Sequence, residues 1–193
     1  MATTRDLLTK RRYSDISVAT ILADSGAAKG SFYFYFAGKD DLLAALVRDA
    51  VAGGLDAAQS WTDTPAATEP VQQLRNGAAA GARLWQQEAP VLRAIVEACG
   101  TNATLDELWR GQMELFTQAA LARLDGDTEA AAWLDGRDPV PIVTSLTWLS
   151  ERVYYLAATH TRPFSDEQVV IDVLADAWAL ALYGRRADNA DPE

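Results

Sequence analysis

Apolar residues recur three and four positions apart along most of this chain, and no other feature constrains its fold as strongly. One such stretch consists of Leu42, Leu43, Leu46, Val47 and Val51. A second consists of Leu146, Leu149, Val153 and Leu156. This spacing places side chains on one face of an α-helix, whereas half-buried strands show an alternation that is missing here. The sequence therefore predicts an all-α protein.

Composition narrows the class of protein further. The 193 residues are 49% hydrophobic and 23% charged, which favours a folded chain with a sizeable core over a disordered one. A single Cys and a single His exclude an internal disulfide and argue against a multi-histidine metal centre, so we expect no cofactor. No apolar run is long enough to span a bilayer, and the first residues lack the apolar core of a signal peptide. We therefore expect a cytoplasmic protein without a membrane segment.

Charge is spread unevenly along the chain. The total is −10, yet residues 1–39 hold six cations and three anions and so carry +3, which leaves −13 on residues 40–193. A basic end on an acidic body can approach a polyanion at that end alone. The alternative, an ordinary mixed surface, stays open on charge alone.

The helical pattern also suggests how the chain is divided. Residues 62–70 are rich in Thr and Pro and predict a turn-rich break. We expect a compact three-helix piece over residues 1–39, a larger helical body over 40–186 and a polar tail over 187–193. Within the body, Pro90 predicts the first turn of a new helix. Thr104 and Ser165 each predict a helix start, because a Glu or Gln follows three residues later.

Residues 16–39 carry the strongest functional pattern. Ser17 suits the start of a short helix, Gly26 suits a tight turn, and a second short helix begins near Ala28. This is the plan of a helix-turn-helix unit, whose second helix enters the major groove of DNA. The first residues of that helix are the candidates for contacts with bases: Lys29, Gly30 and Ser31.

Further residues of the same window suit contacts with phosphates. Ser17 can offer its hydroxyl and the amides of a helix start. The side chains of Tyr33, Tyr35 and Lys39 are long enough to reach phosphates beside the groove. The aromatic run also has a purely structural interpretation, under which at least two of its three Phe residues pack in the core and the two Tyr residues point outward. Those Phe residues are Phe32, Phe34 and Phe36.

Together these residues resemble the signature of TetR-family transcriptional regulators. The matching positions are Ile16-Ser17-Val18, Gly26, Ser31 to Phe36, Lys39 and Leu42-Leu43. The body is similar to the EthR-like repressors of that family at Leu108-Trp109, Met113, Phe116, Ser150-Glu151-Arg152, Trp178 and Tyr183-Gly184.

The resemblance implies a function for each part of the chain. Three N-terminal helices would bind double-stranded operator DNA, and the last two helices would pair in a homodimer. The body would bind a small, largely apolar effector that releases the operator. Residues matching the apolar tunnel of EthR-like proteins are Trp109, Met113, Phe116 and Trp178. We add the aromatic Trp85 and Trp148, and two hydroxyls at positions of polar anchors, Thr147 and Ser150.

Two other classes of protein remain as alternatives. An all-α enzyme is disfavoured because the sequence has no Gly-rich phosphate loop, no HExxH pattern and no nucleophile elbow. Glu151 and Arg152 suit an ion pair better than a catalytic acid and base. A helical module that binds a ligand or a protein but not DNA is the second alternative, and steep salt dependence of DNA binding would distinguish a regulator from both.

Overall fold

The computed structural model describes the backbone of residues 1–62 and 69–185 and the side chains of residues 1–52 and 69–185. Within these ranges the chain is all α, which confirms the prediction. Its helices are α1 (Ala2–Lys10), α2 (Val18–Ser25), α3 (Lys29–Tyr35), α4 (Lys39–Thr62), α5 (Pro70–Cys99), α6 (Ala103–Leu124), α7 (Thr128–Leu134), α8 (Pro139–Ala158) and α9 (Glu167–Tyr183). None of these described helices is both long and apolar enough to cross a lipid bilayer.

The chain divides into two compact units. The first unit holds residues 1–53 and 88–111. The second holds the other described residues, 54–62, 69–87 and 112–185. Helices α4, α5 and α6 each contribute residues to both units. The functional division at residue 39 stays a prediction, and both the predicted tail and most of the turn-rich break lie outside the described residues.

The start and end of α2 follow from local side-chain chemistry. The hydroxyl of Ser17 accepts from the backbone N–H of Thr20 over 3.1 Å, which satisfies one of the free donors at a helix start. Gly26 ends the helix with φ +65°, a left-handed conformation that glycine adopts at little cost. Both predictions are confirmed: Ser17 begins α2, and Gly26 ends it at the turn before α3.

The first unit buries many apolar side chains. Its largest fully buried side chains are Ile16, Leu43, Leu46, Val47, Val51, Val91, Leu92, Ile95 and Leu105. Three of them lie just after Pro90, where the sequence predicts a new helix. That prediction is wrong, because α5 continues through Pro90. A proline inside a helix costs about 3 kcal/mol, but burial of three large side chains contributes about 1.5–3 kcal/mol each.

In the second unit, α8 packs against α9 and α7 packs against α9. Val143 and Leu146 of α8 and Leu182 of α9 are the buried residues of a core cluster, and Trp178 packs against it. The side chain of Asp138 accepts from the N–H of Val140 over 3.0 Å and begins α8.

Two predicted helix starts are displaced. Helix α9 begins after Asp166, whose carboxylate accepts from the N–H of Gln168 over 2.9 Å, rather than after Ser165. A carboxylate is also favoured at this end by the helix dipole. Helix α6 begins before Thr104, because the side-chain oxygen of Asn102 accepts from the N–H of Leu105 over 3.0 Å. Asn is favoured over Thr at the start of a helix, which agrees with this earlier start.

Candidate nucleic-acid interface and effector site

The first turn of α3 is open to solvent. Lys29, Gly30 and Ser31 are all exposed. A Cβ added to Gly30 would meet no atom within 4 Å. These three residues can therefore approach the edges of bases without any rearrangement of the described structure, as the helix-turn-helix prediction requires.

The aromatic run divides between the core and solvent. Phe32 is buried and Phe36 is half-buried, so two of the three Phe residues pack as the structural interpretation expects. Tyr33 and Tyr35 are 49% and 72% exposed, which confirms that they point outward. Phe34 is 80% exposed, a position that the sequence does not predict.

Lys39 is bonded to the segment that joins α1 to α2. Its ammonium donates to the carbonyl oxygens of Ile16 over 2.9 Å and Tyr13 over 3.2 Å. It also lies 4.6 Å from the centre of the Tyr13 ring, a cation–π contact. An ammonium has three donors, so one is left for a phosphate once these two bonds are made. Lys39 thus fixes the entry into α2, and its contact with DNA stays a prediction.

Asp40 forms hydrogen bonds with two other parts of the first unit, the segment before α2 and the start of α6. Its carboxylate accepts from the hydroxyl of Tyr13 and, over 2.8 Å, from the side-chain amide of Asn102. Burial, together with the hydrogen bond to Asp40, raises the pKa of Tyr13 far above its usual value, so this phenol stays protonated. The ammonium of Lys39 and the phenol of Tyr13 therefore bind the chain before α2 to the start of α4.

The effector candidates are buried or half-buried within their units. Trp109 belongs to the first unit and is 3% exposed. In the second unit Trp85 and Met113 are buried, and Trp85 stacks on Tyr154 with ring centres 6.3 Å apart. Phe116, Trp148 and Trp178 are half-buried in that unit. Their convergence on a single ligand stays a prediction.

The two predicted polar anchors are bonded to their own helix. Thr147 donates its hydroxyl to the carbonyl of Val143 over 3.0 Å. Ser150 donates to the carbonyl of Leu146 over 2.8 Å and accepts from the indole N–H of Trp178 over 3.0 Å. Both hydroxyls donate their only proton to a carbonyl oxygen of α8, so each can only accept a hydrogen bond from a ligand. A ligand N–H or O–H fits them better than a carbonyl group.

Comparison with known proteins decides the family. The sequence model described as "Transcriptional regulator EthR, C-terminal domain" matches residues 74–184. The model described as "Bacterial regulatory proteins, tetR family" matches residues 1–46, which include every candidate DNA contact. The chain belongs to the TetR family. As a TetR-family protein it is a DNA-binding transcriptional regulator with a helix-turn-helix unit.

Two curated relatives match nearly the whole length of this chain. It is 27% identical over 184 residues to the HTH-type transcriptional regulator EthR of Mycobacterium tuberculosis strain H37Rv, a match that covers 95% of this chain and 85% of the relative. The EthR of Mycolicibacterium smegmatis is 27% identical over 188 residues, with 95% and 84% coverage. The resemblance to EthR-like regulators is therefore confirmed for both parts of the chain.

Solved structures of TetR-family proteins share the fold. A chain assigned to the family from Syntrophomonas wolfei has a TM-score of 0.74 at 16% identity, covering 93% of this chain and 91% of that one. The regulator PfmR from Thermus thermophilus has a TM-score of 0.63 at 18% identity, covering 93% and 94%. At these identities the match concerns the fold alone.

The structure adds two cations that the site prediction omitted. Arg11 and Arg12 directly follow α1 in this TetR-family chain, and both are exposed. Neither forms an ion pair with a described residue, whereas Lys10 pairs with Asp6 over 2.7 Å. The signal for them in the sequence is the pair of adjacent cations at the end of a predicted helix.

Glu151 and Arg152 show the geometry of a weak pair. Glu151 is 4% exposed, and its carboxylate lies 3.8 Å from Nε of Arg152. The Arg152 guanidinium also lies 5.1 Å from the centre of the Tyr155 ring. This arrangement supports the interpretation as an ion pair on α8 of a TetR-family body.

Proposed function

We propose that the chain is a ligand-responsive transcriptional repressor that binds operator DNA as a homodimer in the cytoplasm and is released by a small, largely apolar effector. The observation that carries the proposal is the exposed first turn of α3, with Lys29 and Ser31 flanking an unobstructed Gly30. It follows a helix that starts at Ser17 and ends at a left-handed Gly26. This combination suits a helix that enters the major groove.

The contacts with DNA fall into two groups. Lys29, Gly30 and Ser31 lie at base edges, where a lysine can bind guanine and a serine can bind any base. The contacts with phosphates come from Ser17, Tyr33, Tyr35 and Lys39. Arg11 and Arg12 add two exposed cations to the same end of the chain. Contacts with phosphates position the protein, and contacts with bases give sequence preference.

Exposed apolar side chains on α8 and α9 support a homodimer. Leu149 on α8 is 41% exposed, and Val173 and Leu180 on α9 are 41% and 46% exposed. Val173 and Leu180 are seven residues apart and share one face of the helix. Other apolar residues of these two helices are buried within the chain, namely Leu146, Val153, Leu174 and Leu182. The exposed apolar residues are therefore the ones available to a second copy.

Buried aromatic and hydroxyl side chains support an apolar effector with a polar group. Met113 and Trp85 are buried, and Thr147 and Ser150 present lone pairs, so the favoured ligand is apolar with one or two donors. Release of DNA requires that this ligand bind more tightly to the form of the dimer that cannot bind DNA. A coupling of about 1–3 kcal/mol is typical of such regulators.

Operator selection tests the proposal in two steps. The wild-type protein selects duplexes from a random pool, and the selected duplex is then titrated at several salt concentrations. We expect a half-site repeat one helical turn apart, about 34–36 Å. Medium-chain alcohols and ketones of equal length are then added separately to the complex of protein and operator. The alcohols should release the DNA at lower concentration than the ketones do. A protein that selects no duplex would be a helical ligand-binding or protein-binding module instead.

A further inference from the structure

Phe34 is an apolar side chain placed where the fold gains nothing from it. At 80% exposure it is the most exposed of the large hydrophobic residues that the structure describes. Its ring meets the ring of Tyr35 edge to face, with centres 5.0 Å apart, but Tyr35 is itself 72% exposed. Leaving a phenyl ring in water forgoes the free energy that its burial would release. The ring is therefore available to a partner outside the chain.

Phe34 shares a helical face with the candidate base contacts. It follows Ser31 by three residues and Gly30 by four, the spacing of neighbours on one side of an α-helix. Helical side chains lean toward the N-terminus, a direction in which a ring at position 34 can cover the turn that contains these two residues. Because Gly30 has no side chain and no side chain from elsewhere in the described structure comes within 4 Å of its missing Cβ, the helix surface one turn before Phe34 is open. We call this open surface, bordered by Phe34, Gly30 and Ser31, the α3 notch.

The chemistry of the notch selects one group of the major groove. Base edges there present hydrogen-bond donors, acceptors and a single apolar group, the C5-methyl of thymine. A phenyl ring can neither donate to nor accept from the polar edges, but it gains free energy by covering a methyl group. We infer that Phe34 reads the C5-methyl of one thymine in each operator half-site, with the methyl seated in the α3 notch. The inference rests on the proposed entry of α3 into the major groove.

Neighbouring side chains complement the same base. Ser31 borders the notch with a hydroxyl, which can donate to the O4 atom that thymine carries beside its methyl. Lys29, in the same turn, brings an exposed cation to a polyanion. Apolar, polar and cationic groups thus follow one another along the exposed face of α3.

Replacing thymidine by deoxyuridine isolates the contribution of the C5-methyl group to the affinity for DNA. Deoxyuridine pairs as thymine does and lacks only the C5-methyl. Each thymine of the selected operator is replaced in turn, in both half-sites, and the affinity of the wild-type dimer is measured at fixed salt. At one thymine position we expect a loss of about fourfold per half-site, the factor for one buried methyl group. Replacement at the other thymines, whose methyl groups the ring does not cover, should leave the affinity nearly unchanged.

Phe34→Ala identifies the residue that reads the methyl. The variant should bind the thymine operator more weakly than wild type and should bind the thymine and deoxyuridine duplexes equally, because the pairwise term is lost. Phe34→Leu keeps an apolar side chain and should retain part of the difference. Leu115→Ala is the matched control, since Leu115 is 49% exposed on α6 and outside the proposed interface. It should preserve the full effect of the methyl.

Each outcome bears on a distinct claim. Wild-type binding with no thymine position sensitive to deoxyuridine would overturn the inference and leave the proposed function standing. So would a Phe34→Ala protein that keeps the wild-type difference. If Phe34→Ala instead changes the molecular mass in solution, the ring contacts another protein chain and the inference fails. If the wild-type protein selects no duplex at all, the proposed function fails first.

Discussion

Asn102 and Asp40, 62 residues apart in sequence, are joined by a 2.8 Å hydrogen bond from the Asn102 amide to the Asp40 carboxylate. Asn102 also begins α6 by accepting from the N–H of Leu105. Asp40 lies in the first turn of α4 and accepts from the hydroxyl of Tyr13, which precedes α2. The starts of α4 and α6 and the entry into the helix-turn-helix are thus linked by side-chain hydrogen bonds inside the first unit.

Substitutions of Asn102 should separate its two roles. Asn102→Ala removes the helix cap, worth about 1 kcal/mol, and the bond to Asp40, worth about 1 kcal/mol. Asn102→Ser keeps a good cap and loses the amide. Urea unfolding should therefore rank the free energies of unfolding as wild type, then Ser, then Ala. An Ala variant as stable as wild type would show that neither contact contributes.

Gly81→Ala should destabilise the protein even though alanine favours helix. A Cβ at position 81 would collide with the ring and hydroxyl of Tyr154. Overpacking of this kind costs about 1–3 kcal/mol, more than the gain in helix propensity of about 1 kcal/mol. Gly111→Ala is the control, because nothing lies within 4 Å of its missing Cβ on α6, and it should raise the melting temperature. The idea fails if both variants are stabilised.

Tyr154 should make stability fall at alkaline pH. Burial raises the pKa of Tyr154 well above its usual value near 10. Below pH 10 the phenol is protonated in both states. Above pH 10 only the unfolded chain ionises, so the free energy of unfolding falls, by up to about 1.4 kcal/mol per pH unit.

Tyr154→Phe tests that dependence. At pH 7 the variant loses the bond from the hydroxyl to the carbonyl of Ala78, which is 3.0 Å long, and about 1 kcal/mol of stability. By pH 11 the gap to wild type should close or reverse, because Phe cannot ionise. The exposed Tyr35→Phe should instead track wild type over the whole range. Parallel curves for wild type and Tyr154→Phe would contradict this account.

Local chemistry explains which parts of the fold were predictable. Ser17 and Gly26 were identified from the sequence because a cap and a left-handed glycine act within a few residues. The prediction of a new helix at Pro90 is wrong for the opposite reason. Burial of the residues after Pro90 depends on distant parts of the chain, and it outweighs the local preference of proline for the first turn of a helix. At the start of α6 two local signals compete: Thr104 and Glu107 fit a capping box, whereas Asn102, a residue type more favoured at a cap, is the one that accepts from Leu105.

The candidate site shows the same limit. The alternation of the aromatic run predicted the outward Tyr33 and Tyr35. It could not tell which Phe residue is solvent-exposed, because that depends on how α3 packs against the rest of the unit. The bonds from Lys39 to two carbonyls join residues more than 20 positions apart. Sequence spacing carries no information about such a contact.

A charged residue on α9 should dissociate the proposed homodimer. Leu180 is 46% exposed, so Leu180→Glu should leave the fold of one chain intact. In a symmetric interface it would place two carboxylates in an apolar surface of about 800 Å² per partner. Light scattering at micromolar concentration should give a dimer for wild type, a monomer for Leu180→Glu and a dimer for the control Leu115→Glu. A monomeric wild type would contradict the proposed homodimer.

The most direct test of the central claim is the salt dependence of operator binding by wild type and Lys29→Ala. For wild type, the logarithm of the affinity should fall linearly as the logarithm of salt concentration rises, because bound phosphates release counterions. Lys29→Ala should reduce this slope by about one if Lys29 contacts a phosphate, or weaken binding by about 1–3 kcal/mol if it contacts a base. Lys10→Ala, which removes a cation already paired with Asp6, should do neither. Affinity that is independent of salt, or unchanged in Lys29→Ala, would contradict the assignment of α3 as the DNA-reading helix.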